Sequence, residues 1–160
     1  MTPAISGSTV KYSLTNSTNP ADYTLTVSPT ATHVGESKTV YFVAINANYE
    51  PAFGSAKVTI TPRQITLTAA TETRDYNGNA LTNANVTVSG DGFLDGQGYS
   101  TLPTASGTTT DVGSVKNNVV AGTLNASTIA SDYAFTPVQG DLTVTARALT
   151  VQANDQQIAY

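Results

Sequence analysis

The chain has 160 residues, the size of one large domain or two small ones, with 39% hydrophobic and only 11% charged residues. Its seven Lys and Arg are scattered and the formal net charge is −4, so it lacks the basic stripe that nucleic acid or an anionic lipid surface requires. No run of about 18 apolar residues is present to insert in a membrane, and with no cysteine there are neither disulfides nor thiolate metal sites.

The remainder is rich in Thr, Val, Asn, Ser and Gly, residues of strands and of the turns between them. Period-two alternation predicts a strand at 24–27. Val40-Tyr41-Phe42-Val43-Ala44-Ile45 is a continuous apolar run, short enough for a strand buried on both faces. Alternation returns at 57–61, 65–69, 86–88, 141–145 and 149–152. Turn signals separate these runs, among them Asn19-Pro20, Ser28-Pro29, Val34-Gly35, Asn77-Gly78, Asp91-Gly92, Asp95-Gly96 and Val112-Gly113. No segment carries a helical stripe, and 125–133 is too short and polar for more than one turn. The pattern is all-β and favours two tandem small β-sandwich (Ig-like) modules, the first incomplete. The alternative is a pair of β-grasp-like modules with a short helix at 92–96.

The chain repeats itself. "NYEPAFGSAKVTITPRQITLTAATETRDY" (48–76) aligns without a gap on "DYAFTPVQGDLTVTARALTVQANDQQIAY" (132–160), at an offset of 84 residues. Tyr49 falls on Tyr133, Arg63 on Arg147, Ala69 on Ala153 and Tyr76 on Tyr160, while Val58 matches Leu142 and Leu67 matches Val151. A shorter echo, "TATHVGES" from Thr30 and "TTTDVGSV" from Thr108, recurs at an offset of 78. The division expected is 1–63 as a partial module lacking its first strand, 64–147 as a complete one, and 148–160 as the first strand of a following module.

"ITLTAATETRDYNGNALT" (65–82), "VSGDGFLDGQGYS" (88–100), "TTDVGS" (109–114) and "SDYAFTPVQGDLTVTAR" (131–147) together resemble repeats of the YDG/MBG type, with Tyr76-Asn77-Gly78 standing for Tyr-Asp-Gly. Such repeats occur in large bacterial surface adhesins and haemagglutinin-like proteins. The resemblance implies an extracellular, cell-surface location, β-rich modules strung along a stalk, neighbouring repeats as partners, and no catalytic residues.

The residues themselves offer little chemistry. The one histidine, His33, sits in a turn where the second copy has Asp111, so a turn residue is expected rather than a catalytic base. Asp91 and Asp95 each precede glycine, which is turn chemistry, and their spacing is not that of a calcium loop. No catalytic, cofactor-binding or metal-binding residue is assigned. Tyr49, Tyr76, Tyr133 and Tyr160 recur at equivalent positions, and a shared core or corner role is expected. Tyr23 and Tyr99 are the tyrosines expected to be exposed, available if the module instead binds a host glycan or protein directly. Strand exchange with another copy through Leu149, Thr150, Val151 and Gln152 is a further expectation.

Overall fold

The computed structural model describes residues 5–160. The chain is mostly β, built from several small sheets, with no α-helix among the described residues. Three single turns of 3-10 helix, Pro20–Asp22, Val34–Glu36 and Ala130–Asp132, are its only helical pieces there. It divides into two compact units: one holds the N-terminal residues through Arg63 together with Ile129–Ala134, the other Gln64–Thr128 and Phe135–Tyr160. The segment Ile129–Ala134 thus belongs to the first unit, although the repeat assigns it to the second module.

The first unit is a three-stranded antiparallel sheet in the order β1 (Thr9–Ser13), β2 (Lys38–Asn46), β3 (Tyr49–Val58). β2 is the apolar run, and it is central. Val40 and Val43 are 3% and 0% exposed and, being an odd number of residues apart, lie on opposite faces, so both faces of this strand are covered. β3 returns directly beside β2, from Asn46 opposite Tyr49 to Lys38 opposite Val58. The expected strand at 24–27 reduces to a single bridge, Tyr12 with Leu25, closed by hydrogen bonds of 2.7 and 3.0 Å. Alternation at 57–61 yields a ladder only as far as Val58, because the Ile60 N–H turns to Ser37 Oγ at 3.0 Å.

The second unit carries two three-stranded sheets. One runs β12 (Tyr133–Val138), β4 (Arg63–Ala69), β6 (Val86–Gly90), with Arg63, Tyr133 and Ala134 at its strand starts counted in the first unit. The other runs β5 (Glu72–Asp75), β13 (Gly140–Thr145), β9 (Gly113–Asn117), with β13 parallel to β5 and antiparallel to β9. Two short pairs complete it: β7 (Tyr99–Thr101) with β11 (Thr123–Leu124), and β8 (Thr104–Ala105) with β10 (Val119–Val120). The inward residues of β4 and β13 (Ile65, Leu67, Ala69, Leu142 and Val144) are all buried, and Leu142 and Val144 form a core cluster with Leu81.

β4 gives way to β5 at Ala70-Thr71, opposite the break between β12 and β13 at Gln139. One buried side chain holds this corner. Asn117, fully buried, donates from Nδ2 to Ala70 O (2.9 Å) and Asn83 O (2.8 Å), and its Oδ1 accepts from Gly107 N (2.7 Å). Gly140 lies against the same turn: a side chain there would run into the carbonyls of Ala69 and Ala70.

Two expectations are corrected. Residues 92–96 form no helix: Gly92 and Gly96 have φ of 73° and 77°, and Gln97 N closes a turn on Leu94 O. Residues 149–152 join no sheet in this chain, and Leu149 and Val151 are exposed, because alternation without a partner strand leaves the backbone to water.

Replacing Asn117 by Ala orphans two carbonyls and an amide and is expected to cost about 3 kcal/mol. Asn117→Asp keeps the Gly107 bond but faces an oxygen toward two carbonyls, and it should cost as much. Leu142→Ala should cost about 3 kcal/mol, and the half-buried counterpart Val58→Ala less than about 1.5 kcal/mol. Urea denaturation of the four variants checks the order.

Candidate functional site

Two places gather unusual side chains. The first lies in the second unit, where Leu67 of β4, Tyr99 of β7, Leu124 of β11, Phe135 of β12 and the Ala121-Gly122 turn line a cavity of about 250 Å³. Its aromatic wall is specific in geometry. Phe93 meets Tyr99 edge-on, with ring centroids 5.2 Å apart, and both rings stand 6.3 Å from Phe135. Gly122 permits the close approach on the far side, where a Cβ would collide with the Thr101 carbonyl. Tyr99 supplies the only ionisable group of the lining, and burial pushes its phenol above the usual value of 10.0. An apolar recess with one hydroxyl can bury a hydrocarbon edge or an aromatic face. It presents no base to take a proton and no second acid to give one back.

The second place is in the first unit. His33 precedes the turn Val34–Glu36, and its Nδ1 lies 2.6 Å from Asp132 Oδ2. The other Asp132 oxygen accepts the Val34 N–H at 2.8 Å. Glu36 Oε2 closes the turn from within, accepting from Thr32 N (2.7 Å) and His33 N (3.3 Å). The Asp132 hydrogen bond raises the His33 pKa above 6.5, and the Val34 and His33 bonds lower that of Asp132 below 3.8. This is an ion pair that docks one turn against another, with the imidazole held by a carboxylate. His33 is a turn residue, and its partner lies 99 residues away in sequence, beyond any local signal.

The remaining singled-out residues disperse. Asp91 caps the entry to β4, its Oδ2 accepting from Gln64 N at 2.7 Å. Asp95 lies in the 94–97 turn, and among the described residues no cluster of three His, Cys, Asp or Glu is placed to hold a metal. The tyrosine expectation is reversed at most positions. Tyr133 is buried, but Tyr49 is 59% exposed and Tyr76 and Tyr160 are exposed too. The corner tyrosine is instead Tyr23: only 1% exposed, it donates its hydroxyl to Ser17 O at 2.8 Å and packs on Phe53 at 5.6 Å. Neither Tyr23 nor the half-buried Tyr99 is a free surface ring, because each has an aromatic partner that a lone alternation pattern does not announce.

No family model, curated protein or solved structure matches the chain.

The His33–Asp132 pair stabilises most with both groups charged. The contribution from His33 is complete below pH 6.5 and fades as pH rises through its raised value, while that from Asp132 is present above 3.8 and fades as pH falls through its lowered one. NMR titration should therefore place the His33 imidazole above 6.5, and Asp132→Asn should bring it back toward that value.

Proposed function

We propose that the chain is a non-catalytic extracellular spacer, part of the stalk of a bacterial cell-surface adhesin, made of tandem small β-sandwich modules of the YDG/MBG kind. The observation that carries this reading is the 84-residue sequence repeat, in which the same alternating apolar positions return. A stalk needs modules that are uncharged enough to be indifferent to solutes and strong along the chain direction. The 11% charged composition meets the first requirement.

The second unit supports the other requirement. Its early strand β5 and its last strand β13 are parallel neighbours, paired from Leu142 opposite Glu72 to Thr145 opposite Asp75. Tension enters β5 from its N-terminal side and leaves β13 from its C-terminal side. Parallel neighbours pulled in opposite senses slide past each other, so all their hydrogen bonds are loaded together rather than unzipped one at a time. Tyr76 N to Thr145 O (2.9 Å) and Thr145 Oγ1 to Asp75 Oδ1 (2.6 Å) extend the ladder at its end.

A second reading, direct binding of a host glycan or protein, draws on the aromatic recess around Tyr99 and Phe135. That recess offers sugar hydroxyls a single side-chain hydroxyl, where carbohydrate recognition needs several placed polar groups. A glycan array with the intact chain and with Tyr99→Ala discriminates: a signal abolished by the substitution would favour binding over spacing.

Pulling the full chain by its ends in a single-molecule force experiment should give a distinct unfolding peak for the second unit. Tyr76→Pro deletes the hydrogen bond to Thr145 and should lower that force, with an equilibrium loss of only about 1 kcal/mol. Unfolding at low force without a peak would remove the mechanical role.

A further inference from the structure

The two copies of the repeat differ in one respect that concerns partners. In the second unit the closing strand β13 is paired on both edges, by β9 and by β5. Its counterpart β3, at the 84-residue offset, is paired on one edge only, by β2, and no strand occupies the other among the described residues. Along that bare edge Glu50, Ala52, Phe53, Ser55, Ala56 and Lys57 are all exposed. The chain also contains a segment equivalent to the missing strand. Glu72–Asp75 of β5 falls at that offset on 156–159, Gln-Gln-Ile-Ala, which is exposed and joins no sheet.

We infer that Val58, the last residue of β3, and residues 59–61 that follow it accept residues 156–159 of a second copy as a parallel strand, in the register that β5 takes on β13. Moving the observed pairs by the repeat offset places Gln156 opposite Val58, Gln157 opposite Thr59, Ile158 opposite Ile60 and Ala159 opposite Thr61. Three observations agree with this register.

The backbone polarity is correct. In β13 the Asp141 N–H and Thr145 C=O point to the β5 side, bonded to Thr71 Oγ1 and Tyr76 N. In the first unit the Ile60 N–H points back toward β2, to Ser37 Oγ, so by alternation Lys57, Thr59 and Thr61 direct their backbone groups outward. These are the counterparts of Asp141, Thr143 and Thr145.

The charges are complementary. Where Thr71 meets Asp141 in the second unit, the transposed pair is Asp155 and Lys57, both exposed and of opposite sign. An opposite-charge cross-strand pair favours this register over a slipped one.

The extent is limited by a residue. Gly140 allows Ala69-Ala70 to press against β13, and its counterpart is Ala56, whose methyl prevents so close an approach. The incoming strand is therefore confined to the stretch beyond Ala56. The contact is heterologous, edge to tail, so successive molecules extend it into a chain unless they close a ring.

Because the protein has no cysteine, single thiols report the register directly. Full-length V58C mixed with full-length Q156C under mild oxidation should give a mixed disulfide dimer. Q157C, whose side chain takes the other face, should cross-link at least about tenfold less. Adding Ile158→Pro to the Q156C chain should abolish the cross-link, and the same substitution in the wild type should abolish a concentration-dependent rise in mass by light scattering. Ile158 contributes nothing to the fold of its own chain, so this variant remains folded. Cross-linking indifferent to register would overturn the inference. So would a V58C/Q156C double variant that closes on itself as a monomer, or a mass fixed at 16.5 kDa. None of these results bears on the spacer reading, which the pulling experiment tests separately.

Discussion

The structure of the second unit depends on β13 having a partner on each edge. A strand bonded on both sides has no backbone group left for water to compete for, and its inward side chains are then held in the core. Leu142 and Val144 are buried beside Leu81 for this reason. To reach its parallel partner β13, β5 must leave the sheet that β4 forms with β6, and the chain passes from one sheet to the other at Ala70-Thr71. A bend exposes carbonyls that no ladder satisfies. Asn117 answers the Ala70 carbonyl, together with that of Asn83 ahead of β6, with one amide and fixes Gly107 with its oxygen, so a single polar side chain replaces the missing ladder. Gly140 is the steric half of the same device.

The first copy lacks both halves. At the repeat offsets Asn117 falls on Thr39 and Gly140 on Ala56. Neither reproduces the corner: a threonine hydroxyl is too short to bridge three backbone groups, and an alanine methyl fills the space that the bend occupies. β3 accordingly runs unbroken from Tyr49 to Val58 as one arm of a hairpin, where the second copy breaks into β12 and β13. The register differs as well. Lys38 pairs with Val58, whereas its counterpart Lys116 pairs with Asp141, the counterpart of Lys57. Two substitutions and a one-residue slip thus give related sequences different sheets, and Val58 and Leu142 end in different surroundings, the one half-buried at a strand end and the other in the core.

What was legible from the chain follows from the range of each interaction. Ile65, Leu67 and Ala69 alternate with Thr66 and Thr68, and this local pattern correctly marks β4; β6 and β13 are marked in the same way. The apolar run 40–45 correctly marks a strand covered on both faces. β1 was missed although Thr-Val-Lys-Tyr-Ser alternates polar and apolar residues: its two apolar positions are a short signal, and its pairing to β2 declares it. The tyrosines were misread because recurrence in a repeat reports descent of the positions, whereas burial depends on what packs opposite. Tyr133 is buried and Tyr49 is exposed. Neither the aromatic recess nor the His33–Asp132 pair was legible, since each joins residues far apart in sequence: Phe93 to Phe135, and His33 to Asp132.

The composition of β3 is itself an argument about how an open edge is managed. A bare strand is a template for indiscriminate pairing unless something interrupts it. Pro51, at the register shift near the start of β3, has no N–H to offer and suits an edge or a bulge. Phe42 lies across Gly54, covering the middle of one face. Lys57 places a charge at the far end, where only an acidic residue is welcome. These features leave most of β3 poorly suited to pairing, and make its end at Lys57 and Val58 selective for charge. Stray strands are discouraged, while the proposed incoming strand would bring an acid, Asp155, to Lys57. In the proposed spacer such graded protection is needed, because a tandem array would keep many copies of the same strands close at hand.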